Sequence, residues 1–365
     1  MDWAELANES VVKIRPYVPG KPIEELGREQ GWTDLSTVVK LASNENPLGP
    51  SPRAAAAVHQ AVPQLHRYPE SGAYYLRERL SAQLGVAPEQ LVFGNGSNEV
   101  LVMIGNAFLR PGLEALTGQY AFLVYGLVAA LCGATFKEAP ARDYGFDLDA
   151  IADAITERTR VVFVANPNNP TGTRVRRAEL ERFLARVPEH VIVVLDEAYF
   201  EYVEDREYPN GVNYLGGPAR VVVTRTFSKI YGLAGLRIGY GVMPAEAALV
   251  LERARQPFNI NSLAQAAATA ALDDWEHVER SVRVNRQGKT QLHEGMERLG
   301  LKVVPSWTNF LLVHIGEAQR VSDALMNKGV IGRPLANYAL PEFLRFTIGT
   351  PPENERLLAA LAEVL

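Results

Sequence analysis

From about Leu91 to Val242 the chain alternates short apolar runs with longer stretches in which apolar residues recur every three or four positions. The short runs are Leu91–Phe93, Glu114–Thr117, Val161–Ala165, Val191–Leu195, Val221–Thr224 and Arg237–Val242. Short runs rich in β-branched residues predict strands covered on both faces. The periodic stretches Asn98–Leu109 and Arg177–Arg186 predict amphipathic helices between them. Strands and helices alternating in this way build a mainly parallel sheet flanked by helices. Ligands of such sheets sit beyond the carboxyl ends of the strands, where the loops converge.

A second series begins near Asn261. Helices are predicted over Ser262–Leu272, Trp275–Leu299, Ala318–Lys328 and Pro352–Val364, and strands over Leu301–Val304, Asn309–His314 and Leu344–Ile348. The first 45 residues, punctuated by Pro16, Pro19 and Pro22, read as an extended arm. The expectation is an α/β protein in three parts: an arm (1–45) joining the small domain, a large domain (46–260) and a smaller C-terminal α/β domain (261–365). At 365 residues the chain exceeds one ordinary domain, which agrees with that division.

Composition narrows the class. The chain is 47% hydrophobic and 22% charged, with a net charge of −5 and no block of Lys and Arg. A nucleic-acid partner is therefore not expected; Arg174, Arg176 and Arg177 read as a solvated helix start. No apolar stretch approaches the ~20 residues a membrane span needs. The N-terminus is acidic where a signal peptide is basic, so a cytoplasmic location is expected. The single cysteine, Cys132, allows no intramolecular disulfide and reads as a small buried hydrophobe. His59, His66, His190, His277, His293 and His314 show no ligand spacing, so no metal site is expected.

Polar residues collect where the predicted strands end. Gly94-Asn-Gly96-Ser97 leads from a strand into a helix start, which makes a candidate anion site of free N–H groups. Asn166-Pro-Asn-Asn169-Pro-Thr-Gly172 forms a stiff turn. Asp196 ends a central strand, where a partly buried carboxylate needs a cationic partner or else caps a helix. Thr226-Phe-Ser228-Lys229 ends the next strand, with Arg237 eight residues further on. Lys229 can simply reach water. Taken with the anion site and the acid, however, it meets the needs of pyridoxal 5′-phosphate: an amine for the aldehyde, a carboxylate for the ring nitrogen and donors for the phosphate. Thr226, Ser228 and Arg237 can supply the phosphate donors.

In this order, LASNENPLGPSP, NPNNPTG, DEAY, TFSKIYGLAGLRIGY and LRFTIGT resemble the motifs of the fold-type I aminotransferases of class I and II. The likeness runs from IRPYVPGKPIEEL to TIGTPPENERLL, and the most similar branch is that of the histidinol-phosphate aminotransferases. Aromatic amino-acid aminotransferases and threonine-phosphate decarboxylases share the fold and form the alternative. The resemblance implies a pyridoxal-phosphate enzyme acting on a small amino donor and a 2-oxo acid acceptor. It implies that Lys229 holds the cofactor and moves protons, that Asp196 pairs with the ring nitrogen, and that Asn169 and Tyr199 bond the ring oxygen. Tyr120 would stack on the ring, and Gly96, Ser97, Thr226, Ser228 and Arg237 would bind the phosphate. Tyr68 would reach a partner subunit's phosphate, implying a homodimer. Arg345, Arg333 and Tyr17 match positions facing the substrate. The chain departs from the family at Thr117-Gly-Gln119, before Tyr120, where Pro followed by Glu or Thr is usual. Gly332 stands where a larger apolar residue is common, a departure that bears on the substrate pocket.

Overall fold

The computed structural model describes residues 2–14, 16 and 19–365. Among these, seven strands form the large sheet, in the spatial order Leu91–Gly94, Gly239–Val242, Arg220–Thr226, Ile192–Asp196, Thr159–Ala165, Glu114–Gly118, Thr135–Ala139. All neighbours are parallel except Gly239–Val242, which is antiparallel to both of its partners. Successive residues point to opposite faces, and both faces are buried. Val162, Val164, Val193 and Leu195 pack with Leu180, Phe183 and Ala268 on one side. Val161, Phe163 and Val194 pack with Leu101, Ile104 and Tyr125 on the other. This is why these runs lack the alternating pattern of a half-exposed strand.

Four further strands, Lys302–Val304, Phe310–His314, Leu340–Thr347 and Arg333–Leu335, form an antiparallel sheet in that order. Helices Trp275–Arg298, Ala318–Asn327 and Pro351–Val364 supply Leu292, Val321, Leu325 and Leu357 to a core with Leu311, Val313, Leu344 and Phe346. A Cβ on Gly332 would lie 2.5 Å from the Phe346 ring, so Phe346 already fills the space a larger residue would take. Gly332 therefore belongs to a core contact, not to the wall of the substrate pocket that its position suggested.

Several sequence expectations change. The N-terminal segment is not wholly extended, because Ile23–Gln30 forms a helix closed by Gly31 at φ 68. Val39–Lys40 then pairs in parallel with Val330–Ile331, and Thr347 N donates to Leu41 O at 2.7 Å. Residues 41–46 are thereby carried from the small sheet to the large one. The last strand of the large sheet starts at Gly239, not Arg237; Arg237 lies in the left-handed region (φ 58) after a tight turn at Ala234–Leu236. Arg174 is not on a solvated helix start: it lies 4.5 Å over the Trp307 ring and pairs with Asp205. Cys132 is half-buried. Helices Pro52–Ala61, Tyr74–Leu84 and Ala245–Ala254 were not anticipated. No helix among the described residues is long and apolar enough to cross a membrane.

Candidate active site

A cleft of about 380 Å³ opens where the central strands of the large sheet end and the small sheet leans over them. That size lies within the roughly 300–1,000 Å³ of small-molecule sites. Ser97, Asn169, Asp196, Tyr199, Thr226, Ser228, Lys229, Arg237, Arg333 and Arg345 all line it. The strand-end rule brought most of these together; the small-sheet arginines arrive from more than 100 positions along the chain.

Asp196 forms the floor. It is the register partner of Thr224, so the two side chains share a face, and Thr224 Oγ1 donates to Asp196 Oδ1 at 3.0 Å. Tyr125 OH donates to Oδ2 at 2.8 Å. Both donors are neutral, and no cation among the described residues pairs with this carboxylate, so the cationic partner expected from the sequence is not supplied by the described protein residues. Burial pushes the Asp196 carboxyl up, against the lowering effect of the two hydroxyls.

Lys229 is partly buried, and Nζ donates to Ser43 O at 3.2 Å. Burial lowers its pKa to about 8, helped by Arg345, Arg237 and Lys40 and opposed by Glu45. An amine in that range holds an unprotonated fraction near neutral pH and can act as a nucleophile or base. Tyr199 OH accepts from Asn44 Nδ2 at 2.8 Å, and burial raises its phenol to about 12.

At the opposite end, the helix Ser97–Phe108 begins on Gly96, whose φ of 78 and missing side chain leave the first N–H groups uncapped. A Cβ on Gly96 would lie 2.5 Å from Arg237 Nη2, and one on Gly239 would lie 2.3 Å from Ser97 N. Two glycines thus allow a guanidinium and a strand to press against a helix start. The Thr226 and Ser228 hydroxyls stand 3.0 Å apart beside them. The helix dipole, the guanidinium and the hydroxyls together form an anion cradle.

Arg333 and Arg345 are directly opposite each other on adjacent antiparallel strands, so their side chains share a face. Both are buried and reach the cleft. Arg345 Nη1 donates to Asn169 Oδ1, and Nη2 donates to Ala42 O at 2.7 Å, which ties the small sheet to the large-sheet turn and to the N-terminal segment.

Residues 36–361 match the family model for aminotransferase class I and II. The chain belongs to the class I and II aminotransferases. It is 50% identical to histidinol-phosphate aminotransferase 2 of Pseudomonas fluorescens, over 100% of this chain and 98% of that one. It is also 50% identical to the protein of that name from Pseudomonas aeruginosa, over 100% and 99% of the two chains. A histidinol-phosphate aminotransferase from Sinorhizobium meliloti, solved in complex with pyridoxal-5′-phosphate, superposes with a TM-score of 0.89 at 27% identity, over 98% of this chain and 97% of that one. A single mutant of Thermus thermophilus aspartate aminotransferase shares the fold, with a TM-score of 0.82 at 24% identity over 98% and 99% of the chains.

Two positions singled out in this aminotransferase's sequence lie elsewhere. Tyr120 does not line the cleft. At φ 59 it sits in a tight turn whose carbonyl accepts from Asn168 Nδ2, and its ring packs beside the cluster of Leu312, Leu335 and Tyr338. Phe122 and Tyr125, two and five residues on, take the wall instead. Gly118 in the departing Thr117-Gly-Gln119 segment leaves room for Phe146, whose ring would lie 2.5 Å from a Cβ there. Tyr68 is 83% exposed and stacks on Phe258 at 4.8 Å, away from this chain's cleft. Tyr17 lies outside the described residues.

The sequence reading missed Tyr125 and, although it quoted LASNENPLGPSP as a motif, assigned no site role to residues 40–45. Tyr125 sits in an apolar helix that reads as core. Its one signal is a phenol in a run that is otherwise aliphatic, Val124-Tyr-Gly-Leu-Val-Ala-Ala-Leu131. The segment 40–45 carried a signal in its density of polar residues, Ser43-Asn-Glu-Asn46, directly after an apolar pair.

Proposed function

We propose that this aminotransferase uses pyridoxal 5′-phosphate to exchange an amino group between glutamate and imidazole-acetol phosphate, giving histidinol phosphate and 2-oxoglutarate in histidine biosynthesis. The observation that carries this reading is the cross-strand pair Arg333 and Arg345 at the cleft. One substrate presents a carboxylate and the other a phosphate, and planar guanidinium groups bind both bidentately. Whole-chain identity of 50% to proteins named histidinol-phosphate aminotransferase supports the same substrates.

The cleft fits the cofactor by its donor set. The anion cradle of Ser97, Thr226, Ser228 and Arg237 would hold the phosphate, Asp196 would meet the ring nitrogen, and Lys229 would hold the aldehyde end. Asp196, with only neutral hydroxyls against it, suits a protonated ring nitrogen as its missing cation. When bound, the cofactor supplies an electron sink for the substrate's α-carbon. Lys229 Nζ, with its lowered pKa, takes and returns the proton at that carbon. Asn169 and Tyr199 would orient the ring oxygen, Phe122, which lines the cleft where Tyr120 does not, would meet the ring, and Arg333 and Arg345 would hold the substrate's anion.

The reading includes a homodimer in the cytoplasm. Tyr68 stacks on exposed Phe258, and exposed Leu65, Tyr74 and Tyr75 lie close to Tyr68 in the chain, which supports an interface there. It also includes the division into an arm (1–45), a large domain (46–260) and a small domain (261–365). The test is a set of half-reactions followed by cofactor absorbance. Histidinol phosphate and glutamate should each convert the cofactor, phenylalanine should do so more slowly, and Lys229→Ala should slow both by roughly 10²–10⁴. Phenylalanine reacting as fast as histidinol phosphate would defeat the substrate assignment.

A further inference from the structure

The two amino donors of the proposed reaction share an amine and one anion but differ at the far end. Glutamate carries a second carboxylate there, whereas histidinol phosphate carries an imidazole that donates an N–H. A single subsite must therefore serve an anion in one half-reaction and a hydrogen-bond donor in the other. Among the described residues, the cleft lining holds five cationic side chains but two carboxylates, Asp196 on the floor and Glu45. Asp196 is buried and, in the proposed reading, is taken by the cofactor's ring nitrogen. Glu45 is half-exposed and bonds Lys40, whose Nζ donates to its Oε1 at 2.8 Å.

The backbone that carries Glu45 is pinned on both sides. Ser43 O accepts from Lys229, Ala42 O from Arg345, and Glu45 O from Asn309 Nδ2 at 3.3 Å. Asn44 N donates to Thr347 Oγ1 at 2.9 Å. This leaves the Glu45 and Lys40 side chains as the adjustable parts of a fixed wall of the cleft that Lys229 also lines. The Lys40 and Glu45 side chains keep 21% and 46% of their surface exposed, and a pair open to water is worth about 1 kcal/mol, so a substrate group can displace either partner at small cost.

Resting on the proposed substrates, we propose that Lys40 and Glu45 form a two-way specificity subsite. Glu45 accepts from the imidazole N–H in one half-reaction, and Lys40 meets the distal carboxylate of glutamate in the other. The pair offers an acceptor and a cation at one place, which a lone arginine cannot do.

The experiment uses the holoenzyme in single half-reactions with histidinol phosphate and with glutamate. Glu45→Ala should lower kcat/KM for histidinol phosphate by roughly tenfold or more, chiefly through KM, as expected for a lost bond to a charged acceptor. Its glutamate half-reaction should hold or improve. Glu45→Gln, whose amide oxygen still accepts, should recover part of the loss, and Lys40→Met should show the opposite substrate preference. Equal losses in both half-reactions, or none in either, would overturn the subsite while leaving the proposed function standing. A wild-type enzyme inert toward histidinol phosphate would instead remove the function and the subsite together.

Discussion

Asp196 and Glu197 are chain neighbours at the end of one strand, yet they face opposite sides of the sheet and end in opposite conditions. Glu197 is sealed: Arg225 donates to it from Nη2 and Nε at 2.7 and 3.0 Å, and Gly211 N donates at 2.7 Å. The Arg225 guanidinium also bonds Asn210 and lies 3.5 Å over the Phe200 ring. Every charge there is answered within the protein. On the other face Asp196 has only neutral hydroxyls, while Lys229 and Arg237 stand near by without an ion pair among the described residues. The contrast separates a buried pair that holds strands in register from an open set of charges that a ligand completes. A second lysine makes the same point. Lys289 is also lowered to about 8 by burial and also donates to a backbone carbonyl, Ser306 O at 2.8 Å. No carboxylate floor or anion cradle accompanies it, so a depressed amine alone does not make a site.

The strongest way to break the contrast is Arg225→Met, which leaves Glu197 buried without its counter-charge. A loss of about 3–5 kcal/mol in urea unfolding is expected, with most of it recovered when Glu197→Leu is added. A single variant as stable as wild type would show that the sealed face is not a pair at all.

A smaller effect is expected from Lys229 in the cofactor-free protein. Its pKa falls from 10.5 to about 8 on folding, so the folded state binds fewer protons between those values. The cost of burying the charged amine is complete below pH 8 and is relieved as pH rises toward 10.5. Lys229→Met should therefore stabilise the protein by about 1–2 kcal/mol at pH 7, allowing for solvent screening, and by almost nothing near pH 10.5. A gain that stays constant with pH would mean the amine is not desolvated.

The smallest change sharpens the open face. Tyr125→Phe removes a donor to Asp196 and should cost about 1 kcal/mol at pH 7. The folded carboxyl already titrates above its usual range, and losing the donor raises it further, so stability should fall more steeply as pH rises. At pH 4, where more of the acid is protonated, the cost should shrink. Equal losses at both pH values would point to packing against Phe163, on which Tyr125 stacks at 4.7 Å, and not to the charge.

The sequence by itself determined six of the seven strand runs of the large sheet, because residues buried on both faces must be continuously apolar, and a polar residue can follow only where the strand leaves the core. Asp196, Thr226, Lys229 and the Gly96-Ser97 turn were legible for that reason. The seventh, the part-exposed edge strand Thr135–Ala139, carries Lys137 and Glu138 and shows no such run. Only the tertiary structure decided which aromatic meets the cleft, because the turn at Tyr120 depends on contacts with Asn168 and the small-sheet cluster and not on local pattern. It likewise decided that Arg333 and Arg345 stand side by side, and that Lys40 and Glu45, in a segment that reads as an arm, become part of the wall. The wall placement comes from pairing across about 300 positions, Val39–Lys40 with Val330–Ile331 and Ala42 with Arg345, and the arginine pair from a strand register; local periodicity encodes neither.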